Sequence, residues 1–427
     1  MNAAIIFILL LVLMLTGMPI SISLGLTVLT FLFGFTDVPL ESVALKLFTG
    51  IEKFEIMAIP FFILAGNFLT HGGVARRMIN FAASMVGHWY GGLGLAGVLA
   101  CALFAAVSGS SPATVVAIGS ILLPAMVKAG FPKSFGAGVI TTSGALGILI
   151  PPSIVMVMYS VATNTSVGAL FMAGVIPGIC LAGVLAGVTW YRAKKFNYPR
   201  LPKATWSERL KTFKASAWGL LLIVIVMGGI YTGMFTPTEA AAMSAVYAFV
   251  VAVFVYKDMS LKDVPRVLLN SANMSAMLLY IITNAVLFSF IMTNENIPQT
   301  LADWMLGYGL GKLTFLLAVN VILLIAGNFM EPSSIVLIFA PILFPVAMKL
   351  GIDPVHFGII MVVNMEVGMC HPPVGLNLYV ASGITKMGIT ELTVAVWPWL
   401  LAMLGYLMVI TYWPDLSTWF PRYLGMM

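Results

Sequence analysis

Charge is what this sequence has least of. Lys, Arg, Asp and Glu make up 8% of its 427 residues, while 61% are hydrophobic. An ordinary soluble domain carries about 25% charged residues, so a water-soluble globular chain is excluded and a polytopic membrane protein is left. Cysteine is scarce as well. Cys101, Cys180 and Cys370 lie in separate apolar stretches without metal-type spacing, and read as small core residues. No H-E-x-x-H, Walker A or G-x-S-x-G pattern occurs, and no nucleophile or metal constellation stands in for one. The chain is therefore not expected to be an enzyme, and without a nucleotide site any transport must run on an ion gradient. Strict apolar–polar alternation is missing, which excludes a β-barrel. The first 16 residues are apolar but lack a basic start and a small-residue cleavage site, so they read as a retained helix. The net charge of +6 sits in loops and implies no nucleic-acid partner.

What is present is an internal repeat. Adding 221 to a residue number pairs Pro124 with Pro345, Lys128 with Lys349 and Gly130 with Gly351. The same shift pairs Gly147 with Gly368, Pro151-Pro152 with Pro372-Pro373, and Pro177 with Pro398. Most of these residues interrupt helices. Paired interruptions in two halves of a membrane protein point to a transport site.

Apolar runs of about 20 residues, enough to cross about 30 Å of hydrocarbon, recur along the chain. In the first repeat, 1–191, they predict spans at 3–16, 19–35, 54–70 and 168–190, an interfacial stretch at 76–90, and a loop at 36–53. A re-entrant hairpin with arms 92–108 and 113–130 has its tip at 108–112, and an interrupted helix covers 134–160. Residues 192–214 form a strongly basic loop, cytoplasmic by the positive-inside rule. The second repeat, 215–427, has spans at 216–232, 237–256, 268–292 and 390–413, a hairpin tip at 328–333 and an interrupted helix at 354–382. Each half then holds five spans and one hairpin. An odd number of spans makes the repeat inverted and puts the N-terminus outside, while the side of the C-terminus stays open. The fold class is thus an all-α polytopic membrane protein of two inverted repeats.

At a helix break, backbone groups lose their helical partners, which costs several kcal/mol each in hydrocarbon. Breaks are tolerated where they line a cavity and bind something. Carbonyls and hydroxyls suit a hard cation such as Na⁺, and half-helix N-termini suit an anion. The candidates are Ser108 to Ser111, Thr141 to Gly144 and Gly147 in the first copy. In the second they are Gly327, Asn328, Ser333, Ser334, Asn364, Gly368, His371 and Asn377. The plain alternative is that small residues let helices pack closely, as the Gly183-x-x-x-Gly187 spacing would allow. Glu331, Glu366 and His371 are ionisable at membrane depth, so they should face the site or the bundle interior. Glu331 precedes Pro332, and capping the second hairpin arm is its other reading.

Several stretches are similar to one family. Pro237-Thr238-Glu239-Ala240-Ala241-Ala242, Ala65-Gly66-Asn67, Gly109-Ser110-Ser111-Pro112-Ala113-Thr114 and Pro372-Pro373-Val374-Gly375-Leu376-Asn377-Leu378 resemble the large membrane subunit of tripartite ATP-independent periplasmic (TRAP) transporters. The resemblance covers essentially the whole chain, and residues 375–383 look most like its C4-dicarboxylate branch. It implies an elevator mechanism in the bacterial inner membrane. The hairpins and interrupted helices move, while the other helices and a separate four-helix small subunit (Q type) form the scaffold. A periplasmic binding protein (P type) delivers the substrate, and co-transported Na⁺ drives uptake. By position, one sodium site would involve Gly327, Gly368, His371 and Val374. Its repeat mate would involve Ser108, Ser110, Gly147, Ile150 and Ser153. The family often has Thr at the position of His371, so the contact implied there is through the backbone and not through a side-chain hydroxyl. Substrate carboxylates would sit near Ser110, Ser111, Asn328, Ser333, Ser334 and Asn377. The competing readings are a self-sufficient Na⁺/dicarboxylate symporter, a TRAP subunit for another carboxylate such as a sugar acid, and, from other classes, a channel or an intramembrane enzyme.

Overall fold

The computed structural model of the chain describes residues 2–427 apart from Asp37, Leu310 and Val374. Among the described residues every regular element is a helix. The first half contains α1 (Asn2–Leu15), α2 (Ile20–Phe35), α3 (Leu40–Thr49), α4 (Ala58–His71) and α5 (Val74–Val86). It continues with α6 (Gly92–Ser108), α7 (Ser111–Lys128), α8 (Lys133–Gly144), α9 (Ile154–Thr163) and α10 (Val167–Lys195). The second half contains α11 (Trp206–Tyr231), α12 (Pro237–Val250), α13 (Val264–Asn294), α14 (Ile297–Gly307) and α15 (Lys312–Gly327). It ends with α16 (Pro332–Lys349), α17 (Pro354–Cys370), α18 (Leu376–Thr385), α19 (Ile389–Tyr412) and α20 (Asp415–Tyr423). Among the described residues, 8 helical stretches are long and apolar enough to cross a bilayer.

The element boundaries follow local chemistry. Thr205 and Thr236 each form a capping box with Glu208 and Glu239 and so start α11 and α12. Gly109 at φ +60° ends α6, and Asn164 at φ +57° ends α9. The shift of 221 reappears in these boundaries: α7 and α16 end at Lys128 and Lys349, and α8 and α17 begin at Lys133 and Pro354. Helices are interrupted within both 134–160 and 354–382. A 3₁₀ turn, Ala145–Ile148, separates α8 from the break before α9, and the α17–α18 break follows Cys370.

Two expectations need correction, and one glycine motif needs placing. The stretch 36–53 is not a loop, because α3 occupies most of it ahead of α4. The basic segment 192–214 is mostly helical. Arg192, Lys194 and Lys195 form the last turn of α10, where cations favour the carbonyl end of a helix, and Arg209, Lys211 and Lys214 ride on α11. The connection proper is 196–205. Finally, Gly92-x-Gly94-x-x-Gly97 spells the letters of a dinucleotide fingerprint, but it opens α6 with no strand before it.

The centre of the bundle is α17. Every residue from Val355 to Cys370 is buried, as expected of a helix that is apolar all round. It packs against α10, α15, α16 and α19, while α4 packs against α12 and α13. Polar ties fasten α17 from inside. Asn364 Nδ2 donates to the carbonyl and side-chain oxygens of Asn320 on α15, both at 3.0 Å. Asn320 donates onward to Thr411 Oγ1 of α19 at 2.8 Å. Asn364, a candidate for the site, is therefore used to join helices.

Candidate functional site

Both hairpin tips and both helix breaks converge on one cavity of about 390 Å³. The first tip contributes Ser108 to Pro112, and the first break contributes Ile148 and Ile154. The second tip contributes Glu331, Pro332 and Ser333, and the second break contributes Met369 and Leu376. The remaining wall is made by α4, through Gly66, Asn67 and Thr70, and by α13, through Met274 and Met277. No Lys, Arg or His is among the lining residues.

The helix N-termini at the two tips differ. At α16, the Glu331 carboxylate accepts from the Ser334 amide at 3.1 Å and from its hydroxyl at 3.0 Å. Glu331 is thus an N-cap, one of its two sequence readings, and it also lines the cavity. At α7, no side chain caps the helix, and Pro112 has no N–H, so the Ser111 and Ala113 amides are without a capping side chain beside the cavity. An anion would find its donors at the first tip.

Each tip lies against the break of its own half. A Cβ on Gly147 would stand 2.6 Å from the Ser110 carbonyl carbon, so only glycine admits the tip there. The Ser110 carbonyl accepts from Thr114 Oγ1 at 2.9 Å and Ser108 Oγ at 3.3 Å. Ser153 caps α9 by accepting from the Met156 amide at 3.4 Å. The Ile150 side chain packs on Gly178 of α10. In the second half, a Cβ on Gly327 would lie 3.0 Å from Gly368 Cα. His371 Nδ1 and Asn328 Oδ1 pair at 2.8 Å. Val374 lies outside the described residues.

Of the six residues expected at the substrate, Ser110, Ser111 and Ser333 line the cavity. Asn377 is buried behind it, donating to Ser111 Oγ at 2.8 Å. Ser334 is fully buried on the Glu331 carboxylate, and Asn328 is held by His371.

A family model described as the tripartite ATP-independent periplasmic transporter, DctM component, matches residues 7–416. The chain belongs to this family. It is a transporter permease, not an enzyme. The chain is 75% identical over 440 aligned positions, covering 100% of both proteins, to the C4-dicarboxylate TRAP transporter large permease protein DctM of Rhodobacter capsulatus. It is 43% identical over 408 positions to the isethionate TRAP transporter permease protein DctMQ of Oleidesulfovibrio alaskensis, covering 95% of this chain and 64% of that one. Among solved structures, the Alcanivorax borkumensis YdaH transporter shares the fold, with a TM-score of 0.62 at 16% identity over 88% of each chain.

In this TRAP permease the walls supplied by α4 and α13 are the part that reasoning from breaks missed. Asn67 was inside one of the resembling stretches, and an amide in the middle of an apolar run was the available signal. It lines the cavity and donates to Ser271 Oγ of α13 at 2.8 Å. Met274 and Met277 carried no signal, since methionine is common throughout this chain.

Proposed function

We propose that this chain is the large permease of a Na⁺-coupled TRAP system for a C4-dicarboxylate, working by an elevator movement. The observation that carries the reading is the meeting of four helix interruptions at one cavity. The α7 amides and the Ser110 and Ser333 hydroxyls offer donors to carboxylates without a lysine or arginine, while the Ser111 hydroxyl proton is already given to the Gly144 carbonyl. Such a site binds an anion but lets it leave. An anion beside the Glu331 carboxyl needs a cation to offset repulsion. The carbonyls of Ser108, Ser110, Gly147, Ile150 and Ser153, and those of Gly327, Gly368 and His371, are the groups for Na⁺ in this reading.

In the proposed elevator, α6–α9 and α15–α18 move as a unit past α4, α12 and α13. The two halves are inverted repeats, with residues 196–205 cytoplasmic and the N-terminus periplasmic in a bacterial inner membrane. The partners are a small four-helix membrane subunit and a periplasmic binding protein. The dicarboxylate assignment leans on the 75% identical relative.

The test is uptake of labelled succinate, malate or fumarate into proteoliposomes under an inward Na⁺ gradient. It is run with the chain alone, with the small subunit, and with the binding protein added. Uptake only with all three supports the reading. Uptake by the chain alone replaces it with a self-sufficient symporter, and indifference to Na⁺ removes the coupling ion.

A further inference from the structure

The substrate cavity has no cation in its walls, but two lysines stand farther along the same seam. Lys46 of α3 and Lys53, just after that helix, line a second cavity of about 230 Å³. Three elements run past both cavities. α9 lines the first at Ile154 and the second at Val161, α16 at Pro332 and then Leu337, and α13 at Met274 and then Ala285. Eleven residues of α13, about 16 Å of helix, separate the two positions. In the proposed orientation the step from first to second runs toward the periplasm.

The second cavity has the chemistry of an anion site. No Asp or Glu is among its lining residues, and Ser289 of α13 adds a hydroxyl. The Lys46 ammonium lies 5.3 Å from the centre of the Phe290 ring. Lys53 donates to the Val161 carbonyl at 2.6 Å and to Asn164 Oδ1 at 2.7 Å. All three partners are neutral. Burial pushes the Lys53 ammonium below lysine's ordinary value, a cost that a nearby anion relieves. Glu55 attracts Lys53 from the side of a separate cavity of about 470 Å³, which leaves the Lys46 side for the anion.

The position also suits the proposed movement. In that elevator α9 and α16 slide along α13, so a substrate held at the tips approaches the second cavity as it moves outward. α3 packs against α13 and stays with the scaffold. A fixed positive charge at the loading end raises the local concentration of anions. The cation-free inner end lets the anion go.

We propose that Lys46 and Lys53 form a second carboxylate site, on the scaffold at the periplasmic end of the seam, where the incoming dicarboxylate is met before the hairpin tips carry it inward. The dicarboxylate and the direction rest on the reading above; the anion site itself does not.

The experiment uses the full chain with its small subunit. The complex is acetylated with an amine-reactive reagent, with and without succinate, and each lysine is read by mass spectrometry. Succinate should protect Lys46 and Lys53 several-fold, acetate less, and Lys203 in the 196–205 connection not at all. Uptake with the binding protein is then compared for wild type, Lys46→Gln and Lys46→Arg at constant Na⁺ gradient. Lys46 is exposed, so its replacement spares the fold. Lys46→Gln should raise the half-saturating concentration of succinate-loaded binding protein about tenfold at low ionic strength, with the maximal rate kept. The gap should close as salt is added, and Lys46→Arg should behave as wild type. Lysines that succinate does not protect overturn the proposal, and a raised half-saturating concentration without protection assigns Lys46 to docking of the binding protein instead. Protection with unchanged Lys46→Gln kinetics overturns the role in loading. Should Lys46→Gln fail to reach the membrane, the wild-type protection pattern decides. Protected lysines with no succinate uptake by the wild type overturn the dicarboxylate reading and leave the anion site standing.

Discussion

Asn377 Nδ2 donates to Ser111 Oγ across 2.8 Å, although 266 positions separate the two residues. Ser111 in turn donates to the Gly144 carbonyl at 2.9 Å. A residue of the second break thereby holds the first hairpin tip where it meets the cavity. The two halves share a site through this contact.

Asn377→Ala should weaken substrate uptake roughly tenfold, since a buried hydrogen bond lost with its partner left unpaired costs about 1–3 kcal/mol. Ser111→Ala should cost a similar amount, and the double variant little more than either. Apparent affinity measured for all three checks the coupling. Fully additive losses would show that the contact carries no shared energy.

Gly147→Ala should abolish most uptake, because its Cβ would stand 2.6 Å from the Ser110 carbonyl carbon, which is backbone and cannot swing aside. Overpacking of this kind costs about 1–3 kcal/mol. Gly183→Ala in α10 is the control: nothing lies within 4 Å of a would-be Cβ there or on Gly187, so this pair does not make the close helix contact its spacing suggested. Transport rate and thermal stability of both variants test the difference.

Lys53, just before α4, donates to the Val161 carbonyl at 2.6 Å and to Asn164 Oδ1 at 2.7 Å at the end of α9. In an elevator these groups separate on every cycle. Lys53→Cys with Asn164→Cys, bridged by a short thiol-reactive linker, should stop uptake, and a cleavable linker should restore it on cleavage. Unchanged uptake after complete bridging would place both residues on the same side of any movement.

The Asp263 carboxyl, ahead of α13, is held below its ordinary value by the Ser260 hydroxyl at 2.7 Å and amide at 3.0 Å. A depressed acid stabilises the fold above its unfolded value, and that contribution disappears as pH falls through the folded one. Ser260→Ala should therefore melt lower than wild type near neutral pH, and the two curves should merge in acid below the aspartate range. Thermal denaturation across pH checks it. A difference that persists in acid would show that the Ser260 contact acts independently of the Asp263 charge.

Much of the fold was legible because a bilayer leaves few options. Apolar runs had to be helices, and Gly109, the Pro151-Pro152 pair and the Pro372-Pro373 pair had to end or break them. The repeat was legible from the same residues. The extent of 192–214 was misread because lysine and arginine were counted as loop residues. The last turn of one helix and the first turns of another at the membrane edge accept them equally well.

The candidate site was legible in half. Helix breaks announce themselves in sequence, and the four of them do meet. The walls from α4 and α13 did not announce themselves, because Thr70, Met274 and Met277 read as ordinary members of apolar runs. Asn328 was assigned to the substrate and His371 to a sodium site, and nothing in their spacing showed that they would pair.

By itself the sequence determined that the chain spans a membrane, that it is helical, that it repeats, and where its helices are interrupted. These are local or compositional properties, set by residue type and by the lack of water for exposed backbone groups. Only the tertiary structure decided that four interruptions share one cavity and that Asn377 reaches Ser111. It also decided that Glu331 is spent as a cap and that Glu366 is fully buried in α17. Those depend on which helices lie side by side, and in lipid that choice is made by close packing over the whole surface of each helix.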